Sequence, residues 1–457
     1  MNTALASLPR ATAERGVAHT QAMLLALGRH TLTSCLTTQA RQHLDWSADY
    51  RAYSSGRLDA NLLFGAVLEQ AQASYGGSTR VWLALDDSTL RKSGRKVPLT
   101  AWRRDPLSPP FGVNFQWGHR VLQTSLLWPQ PQGGARGLPV AFEVLLNRPR
   151  PKQQATLPPA DLREALRQAN VNEAAVRQLN RLAGKLARPA VAAVDGRFAN
   201  KRFLRQLPKN VSAVARLRKD ALLYRPPAET ATTGRPRLYG AVVARPEALR
   251  LDESQPWQTL NAYAAGKNHC FKIKTMGPLR SKLTGAAPGR LMLIAPLAYR
   301  LRAGSKLLYR QPAYLWITDT EMSLQEALQG YLWRWEVEVN FRDEKTLLGV
   351  GQPQVWHPQS VQRLPAWQAA GYSAMLWSSL SLAPDSERAA LPPPKWRRKI
   401  KPLRPSTQCL INRLRHDAWA SAIRPESFRG FWTHPSAAQK PPKPHNSLAA
   451  ALFLATG

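Results

Sequence analysis

The sequence predicts an α/β protein: a mixed core with a mostly β insertion, a helical N-terminal domain and a helical, Pro-rich C-terminal region. Two short apolar runs predict buried strands that stop at carboxylates, the first at Asp86 and Asp87 and the second at Asp195. A third segment, residues 331–345, contains no Gly or Pro and predicts a helix. Sites are commonly built where strands buried on both faces end.

The N-terminal domain is predicted to span residues 1–78. Apolar residues recur at near-helical spacing from Thr20 to Cys35, and the pattern repeats from Ala60 to Ala73. Arginines and aromatic residues between these segments suit binding to DNA ends. A plain helical packing domain fits equally well, and the segment has no clear helix-turn-helix signature.

Residues 79–219 are predicted to form the first part of the core. After the first Asp strand we expect strands around 119–128 and 138–146, a helix over 160–186, the second Asp strand, a short helix over 200–207 and a strand over 211–217. This order of three strands, helix, strand, helix and strand is the order of an RNase-H-like core.

Short apolar stretches broken by Gly and Pro predict a mostly β insertion over residues 220–312. Trp257 and Trp316 are candidates for stacking on an unpaired base. We expect both to be core residues instead, because Trp is mostly buried in proteins.

The second part of the core, residues 313–382, is predicted to contain the helix of residues 331–345 and a helix from Pro365 to Leu382 that its proline opens. In the C-terminal region, residues 383–457, the Pro-rich basic segment 391–402 suits contact with a DNA backbone, and residues 407–419 predict a helix.

Four polar residues of the predicted helix share one face. Counted from the first, the others lie 3, 7 and 14 residues later, within roughly a sixth of the circumference. They are Tyr331, Arg334, Glu338 and Lys345. A carboxylate flanked by cations on a buried helix suits chemistry on phosphate. An exposed ladder of ion pairs from Glu338 to Arg334 and Arg342 has the same spacing and would contribute only about 0.3–0.5 kcal/mol per pair.

The two strand ends and the helix together supply three carboxylates, which we expect to converge. Hard divalent cations such as Mg²⁺ bind through a few carboxylates, water and substrate phosphate. Asp86 and Asp87 point to opposite sides of their strand, so only one of them can face such a site.

The composition predicts a polyanionic partner. The 457 residues include 64 Lys and Arg against 29 Asp and Glu, a formal net charge of +35. Such a field binds nucleic acid without identifying the chemistry. Three widely separated cysteines support neither a disulfide framework nor a zinc ribbon. The sequence has no apolar stretch long enough for a membrane span, and we expect a location in the bacterial cytoplasm.

The spacing of the four helical residues resembles the signature around the third catalytic carboxylate of bacterial insertion-sequence transposases of the DDE class, in the group whose motif reads Tyr-Arg-Glu-Lys. Asp-Asp-Ser-Thr at residues 86–89 resembles the first motif of that group, and Val-Asp-Gly-Arg at residues 194–197 resembles its second. The similarity extends from about residue 80 to about residue 350. It implies an RNase-H-like core with a mostly β insertion before the Glu helix.

The resemblance also implies a site. Asp87, Asp195 and Glu338 would hold two Mg²⁺ (or Mn²⁺) ions, with Asp87 favoured over Asp86 because the group places Ser or Thr directly after the ligand. Arg334 and Lys345 would hold phosphate oxygens, and Tyr331 would bond a phosphate or stack near the DNA end. Helix packing and ion pairing are the alternative roles for these three residues.

The implied activity is cut-and-paste transposition. The protein would cleave double-stranded DNA at terminal inverted repeats and join the 3′-OH ends to target DNA by two-metal phosphoryl transfer, as a homodimer that brings two ends together. The alternatives are a metal-dependent nuclease without strand transfer and a non-catalytic DNA-binding protein derived from a transposase. The three acids argue against the last, because a purely electrostatic binder gains nothing from them.

Overall fold

The structure, a computed structural model, describes residues 3–76, 79–105, 108–109, 111–227, 237–300, 304–382 and 404–419. The segment 391–402 and the tail after residue 419 lie outside the described residues. No described helix is long and apolar enough to cross a bilayer.

The described helices follow a short 3₁₀ turn at Thr3–Leu5. They are α1 (Arg10–Leu25), α2 (Leu32–Thr38), α3 (Ser47–Ser54), α4 (Ala60–Ala73), α5 (Pro151–Thr156), α6 (Pro159–Gln168), α7 (Val171–Ala183), α8 (Lys201–Leu204), α9 (Pro246–Leu251), α10 (Leu324–Trp333), α11 (Trp335–Thr346), α12 (Pro358–Leu382) and α13 (Thr407–Trp419).

The described strands are β1 (Val81–Arg91), β2 (Ala101–Arg104), β3 (Phe115–Pro129), β4 (Ala135–Val144), β5 (Ala190–Val194), β6 (Val211–Arg216), β7 (Leu223–Tyr224), β8 (Gln258–Ala264), β9 (Lys267–Ser281), β10 (Pro288–Ile294), β11 (Ala298–Tyr299), β12 (Leu308–Tyr309) and β13 (Ala313–Ile317). Within the described ranges, eleven of them form one sheet in the order β2-β3-β1-β5-β6-β13-β10-β9-β7, with β4 beside β3 and β8 beside β9.

The core of this sheet is mixed. Strand β3 runs antiparallel to β1 and β4, whereas β5 runs parallel to both β1 and β6. The apolar residues of β1 and β5 are fully buried. The mixed α/β class predicted from the sequence is confirmed. Along the chain, the strands predicted within residues 79–219 occur in the predicted order, with the unpredicted strand β2 added between the first two.

Two helices predicted as continuous are each divided in two. The segment 20–35 breaks between α1 and α2, where Gly28 adopts a positive φ of 67° and the Thr31 side chain accepts the Ser34 N–H to start α2. The segment 160–186 breaks between α6 and α7, because the Asn170 side chain caps α7.

The helix predicted over residues 331–345 is also two helices. They meet at Arg334, which keeps helical dihedrals of φ −49° and ψ −31°. The N–H of Val337 bonds to the Arg334 carbonyl three residues back, a tighter turn than an α-helix. The four polar residues therefore still fall along one run of helix.

Helix α12 begins at Pro358, and the prediction that Pro365 opens it is wrong. Pro358 occupies the first helical position, where its missing N–H leaves no hydrogen bond unmade. Pro365 lies inside the helix instead.

The predicted β insertion continues the core sheet. Strand β10 pairs with β13 of the core, and β9 pairs with β10. Trp316 in β13 is fully buried, as expected of a core residue. Trp257 is half-buried, and the Lys274 ammonium lies 4.5 Å from its ring centroid.

A C-terminal segment ties α11 to the N-terminal helices. The guanidinium of Arg404 pairs with Glu336 at 2.8 Å, and the Thr407 hydroxyl donates to the buried Asp343 at 2.5 Å. At the other end of α13, Arg415 donates to the carbonyl of Ala26 at 2.6 Å. The described residues 404–419 thus bridge two parts of the fold that are distant in sequence.

Replacing Gly330 tests how closely α10 packs on β1. A Cβ at Gly330 would lie 2.2 Å from the Trp82 ring, so Gly330→Ala is expected to reduce the free energy of unfolding by about 1–3 kcal/mol through overpacking. The control is Gly65→Ala in α4, whose Cβ would meet no atom nearer than 3.9 Å and which should stabilise by about 0.4–1 kcal/mol. Urea unfolding measures both, and equal effects would contradict the predicted packing.

Candidate active site

The pairing of β1 with β5 brings two acids together. Ala84 lies level with Ala193 in the parallel register. Two residues further along, Asp86 and Asp195 fall level with each other at the carboxyl ends of the two buried runs. Residues level with each other on neighbouring strands point to the same face, and the charge of Asp195 acts on Asp86, so these two carboxylates lie near each other. Asp87 points to the other side of the strand, and all three aspartates line one cleft.

Asp86 shows the electrostatic consequence of this arrangement. Burial and the neighbouring Asp195 carboxylate together raise the pKa of Asp86 to about 7, against the lowering effect of Arg334. The Asp87 backbone N–H donates to Asp86 at 2.8 Å and also favours the ionised form. Asp86 therefore resists ionisation beside Asp195, and a bound cation would stabilise the ionised form of Asp86.

Arg334 links the first acid to the helix. One of its guanidinium nitrogens lies 3.6 Å from the Asp86 carboxylate, and another donates to Glu338 at 2.8 Å. The Arg334 side chain is largely buried, so this contact is partly shielded from water. Asp86 and Glu338 therefore contact the same Arg334 guanidinium from two sides.

Asp87 has a different environment. Its carboxylate accepts a hydrogen bond from Arg120 at 2.8 Å and pairs with Arg197 at 2.9 Å, and 10% of its side chain is exposed. Each carboxylate oxygen of Asp87 thus lies within ion-pair distance of a different guanidinium group. Arg334 thus lies between Asp86 and Glu338, Asp195 lies near Asp86, and Asp87 lies between two arginines.

Lys345 and Tyr331 flank this group. The Lys345 ammonium donates to the Ser88 hydroxyl of β1, and burial lowers the pKa of Lys345. Burial raises the pKa of Tyr331, against the lowering effects of Arg334 and Arg216. Lys345 lines an open cleft, whereas Tyr331 lies behind the carboxylates with its ring centroid 5.9 Å from the Arg334 guanidinium carbon.

The carboxylates border a cleft of about 1190 Å³. Its walls come from the end of β1, strand β2, residues 195–197, helix α11 and the loop 350–356. Its lining includes a set of basic residues, namely Arg29, Arg91, Lys92, Arg103, Arg104, Arg120, Arg197, Arg342 and Lys345. A cleft with acids at its floor and cations along its walls fits a phosphodiester chain whose reacting phosphate lies over the acids.

The sequence pattern did not predict two groups of basic residues that line the cleft. Arg103 and Arg104 lie in β2, a strand that was not predicted, although the run Trp-Arg-Arg mixes basic and aromatic residues as nucleic-acid surfaces do. Arg120 lies inside the apolar run predicted as a strand. A charge in such a run is the signal that indicates a partner, here Asp87.

The donor chemistry fits a hard divalent cation, since carboxylates are the ligands that such ions prefer. Asp86 and Asp195 would bind from the sheet and Glu338 from the helix. Among the described residues, no group of three or more acidic, His or Cys side chains stands arranged to hold a metal ion. The Arg334 guanidinium lies between Asp86 and Glu338 and supplies positive charge to both carboxylates.

One comparison with known proteins gives a match. A family model described as DDE superfamily endonuclease matches residues 4–275, more than half of the chain. The match includes both aspartates of β1 and Asp195 and ends before Glu338. A search of the curated proteins finds no match.

The two neighbouring aspartates are expected to differ in their effect on stability. Asp87→Asn leaves Arg120 and Arg197 without a carboxylate and should reduce the free energy of unfolding by about 1–3 kcal/mol. Because its pKa rises from 3.8 to about 7, Asp86 costs the folded state stability progressively as pH rises through that window. Asp86→Asn should therefore be neutral or stabilising above pH 7.

Urea unfolding of both variants above pH 7 measures this contrast. If Asp86→Asn proves the less stable of the two, the contrast between the two aspartates is wrong.

Proposed function

The chain belongs to the DDE superfamily endonucleases, and from this premise we propose that it is a DNA transposase of the group with the Tyr-Arg-Glu-Lys motif. It cleaves DNA at the terminal inverted repeats of an insertion sequence and joins the 3′-OH ends to target DNA. One observation carries the proposal. Asp86 lies beside Asp195 and shares Arg334 with Glu338, at the edge of a cleft lined by basic side chains.

The proposed ligands are Asp86, Asp195 and Glu338, for a pair of Mg²⁺ or Mn²⁺ ions. When bound, such ions lower the pKa of an attacking hydroxyl and offset the charge on the leaving oxygen. The sequence pattern favoured Asp87 as the first ligand, and that choice stays a prediction. The contacts favour Asp86, because both carboxylate oxygens of Asp87 already pair with arginines.

The surrounding residues hold the DNA and the acids in place. Lys345 lines the cleft and binds a phosphate oxygen near the bond to be cut. Arg334 positions the Asp86 and Glu338 carboxylates in the free protein and is available to a phosphate oxygen when cations replace it there. Tyr331 supports the Arg334 guanidinium from behind. Asp87 fixes Arg120 and Arg197 along the cleft wall.

Strand transfer uses the same acids twice. Water attacks first and frees a 3′-OH, and that hydroxyl then attacks a phosphate of the target in a second in-line displacement. A homodimer bringing two element ends together is the proposed assembly, acting on the bacterial nucleoid in the cytoplasm. The charge of +35 supports the DNA partner, since such a field draws in polyanions.

Replacing the helical acid tests the catalytic assignment. Glu338→Gln should lower divalent-cation-dependent cleavage of DNA by at least about a hundredfold and leave binding largely unchanged, because the neutral amide is a poor ligand while the basic walls remain. The matched control is Glu14→Gln, an exposed acid of α1 that pairs only with Arg10 in the described contacts. Cleavage and gel retention are measured on the same samples, and undiminished cleavage by Glu338→Gln would remove this residue from the site.

The two aspartates of β1 give a second test, now of activity. We expect Asp86→Asn to abolish cleavage in a protein of undiminished stability. We expect Asp87→Asn to retain more cleavage than Asp86→Asn, when assayed at a temperature where it stays folded. The opposite ranking would restore the assignment that the sequence pattern favoured.

The products separate transposase from nuclease. DNA carrying the element ends is incubated with a target plasmid, with and without Mg²⁺. Joined products that need Mg²⁺ support the transposase. Cleavage without joining supports a nuclease that uses the same acids, and salt-sensitive retention without cleavage supports a DNA-binding protein.

A further inference from the structure

Glu344 is a buried acid that the proposed chemistry does not use. It lies on α11, one residue before Lys345, and 1% of it is exposed. Val337 and Phe341 precede it by seven and three residues and are buried too, so Glu344 stands in the stripe of α11 that faces the sheet. Neither of its carboxyl oxygens has a hydrogen-bond partner among the described residues. An ionised carboxylate in this position would be strongly disfavoured.

Gln123, a polar neighbour of Glu344, also has an unpaired side-chain atom. The Gln123 amide lies within interaction range of Glu344. Its NH₂ group already donates to the Ser125 hydroxyl at 3.3 Å, and its carbonyl oxygen has no partner in the described part of the chain. Three unpaired acceptor atoms, two on Glu344 and one on Gln123, thus lie between α11 and β3. One proton on Glu344 would let it donate to the Gln123 oxygen, because a neutral carboxyl group can donate and a carboxylate cannot.

The place of this pair in the fold connects it to the active site. Gln123 lies directly opposite Asp86 in the antiparallel register of β1 and β3, and such pairs point to the same face. Glu344 is the neighbour in sequence of Lys345, which contacts Ser88 of β1. A hydrogen bond between Glu344 and Gln123 would therefore fix α11 to β3 directly behind the first acid.

We propose that Glu344 is a positioning residue that carries a proton at neutral pH and donates it to the Gln123 side-chain oxygen, holding α11 in register with the strands that carry Asp86. Burial supports this assignment by raising the pKa of Glu344 to about 8. The charged groups that act on it are both on α11, Lys345 favouring ionisation and Asp343 opposing it. From β3, the Gln123 side chain lowers the pKa of Glu344, against the larger effect of burial.

Two substitutions distinguish a role of Glu344 as a hydrogen-bond donor from a role in packing alone. Glu344→Gln keeps the shape and provides an NH₂ donor, whereas Glu344→Met keeps the length and provides no donor. Equilibrium unfolding in urea is measured for wild type and Glu344→Gln between about pH 4.5 and about pH 8. In that window the folded state holds a proton that the unfolded state releases, so wild type should lose stability relative to Glu344→Gln, by up to about tenfold in the unfolding equilibrium constant per pH unit.

Every other titrating group is common to the two proteins, so their difference isolates Glu344. Identical pH dependence of wild type and Glu344→Gln would overturn the proposal. This unfolding test does not depend on the activity of the protein, and it holds or fails separately from the proposed function.

Cleavage of DNA gives the second readout, which rests on the proposed function. Glu344→Gln should cleave at the wild-type rate at neutral pH and keep that rate above pH 8, where wild type declines. Glu344→Met should cleave at least about tenfold more slowly at every pH, because the Gln123 oxygen stays unpaired. Equal loss in both variants would show that Glu344 is needed for its charge, and the proposal would be wrong.

Discussion

The parallel pairing of β1 with β5 is the constraint on which the rest of the site depends. The two strands are apolar and buried up to the same level of the sheet, so their first polar residues emerge next to each other. Two carboxylates in that position repel each other, and the pKa of Asp86 shows the cost. Arg334 offsets part of that cost, and the cations of the proposed function would offset more of it.

Neighbouring residues on one strand can have opposite roles because the strand alternates its faces. Asp86 faces another acid and the α11 helix, whereas Asp87 pairs with Arg120 and Arg197. The ionised form of Asp86 is disfavoured by burial and by Asp195, whereas the Asp87 carboxylate is paired with two guanidinium groups.

The sequence was sufficient for the features that depend on local pattern. Buried apolar runs predicted β1, β5 and β6, and helical spacing predicted the shared face of Glu338 and Lys345. Helix breaks at Gly28 and Asn170 were missed, because a single turn or cap outweighs the periodicity of a long segment. The face of Asp86 was undetermined, since alternation alone does not show which side of a strand meets the helix. The pairing of β10 with β13 joins distant segments and leaves no local signal.

The long connection between β6 and β13 has a consequence for synthesis of the protein. Arg216 pairs with Leu315, and α10 and then α11 follow β13, so the third proposed ligand joins the other two only after the whole insertion has left the ribosome. Contacts between such distant segments form late in folding. A nascent chain would present both aspartates and most of the basic cleft residues before it holds the glutamate. In the proposed transposase, emergence of one late helix would then complete the site.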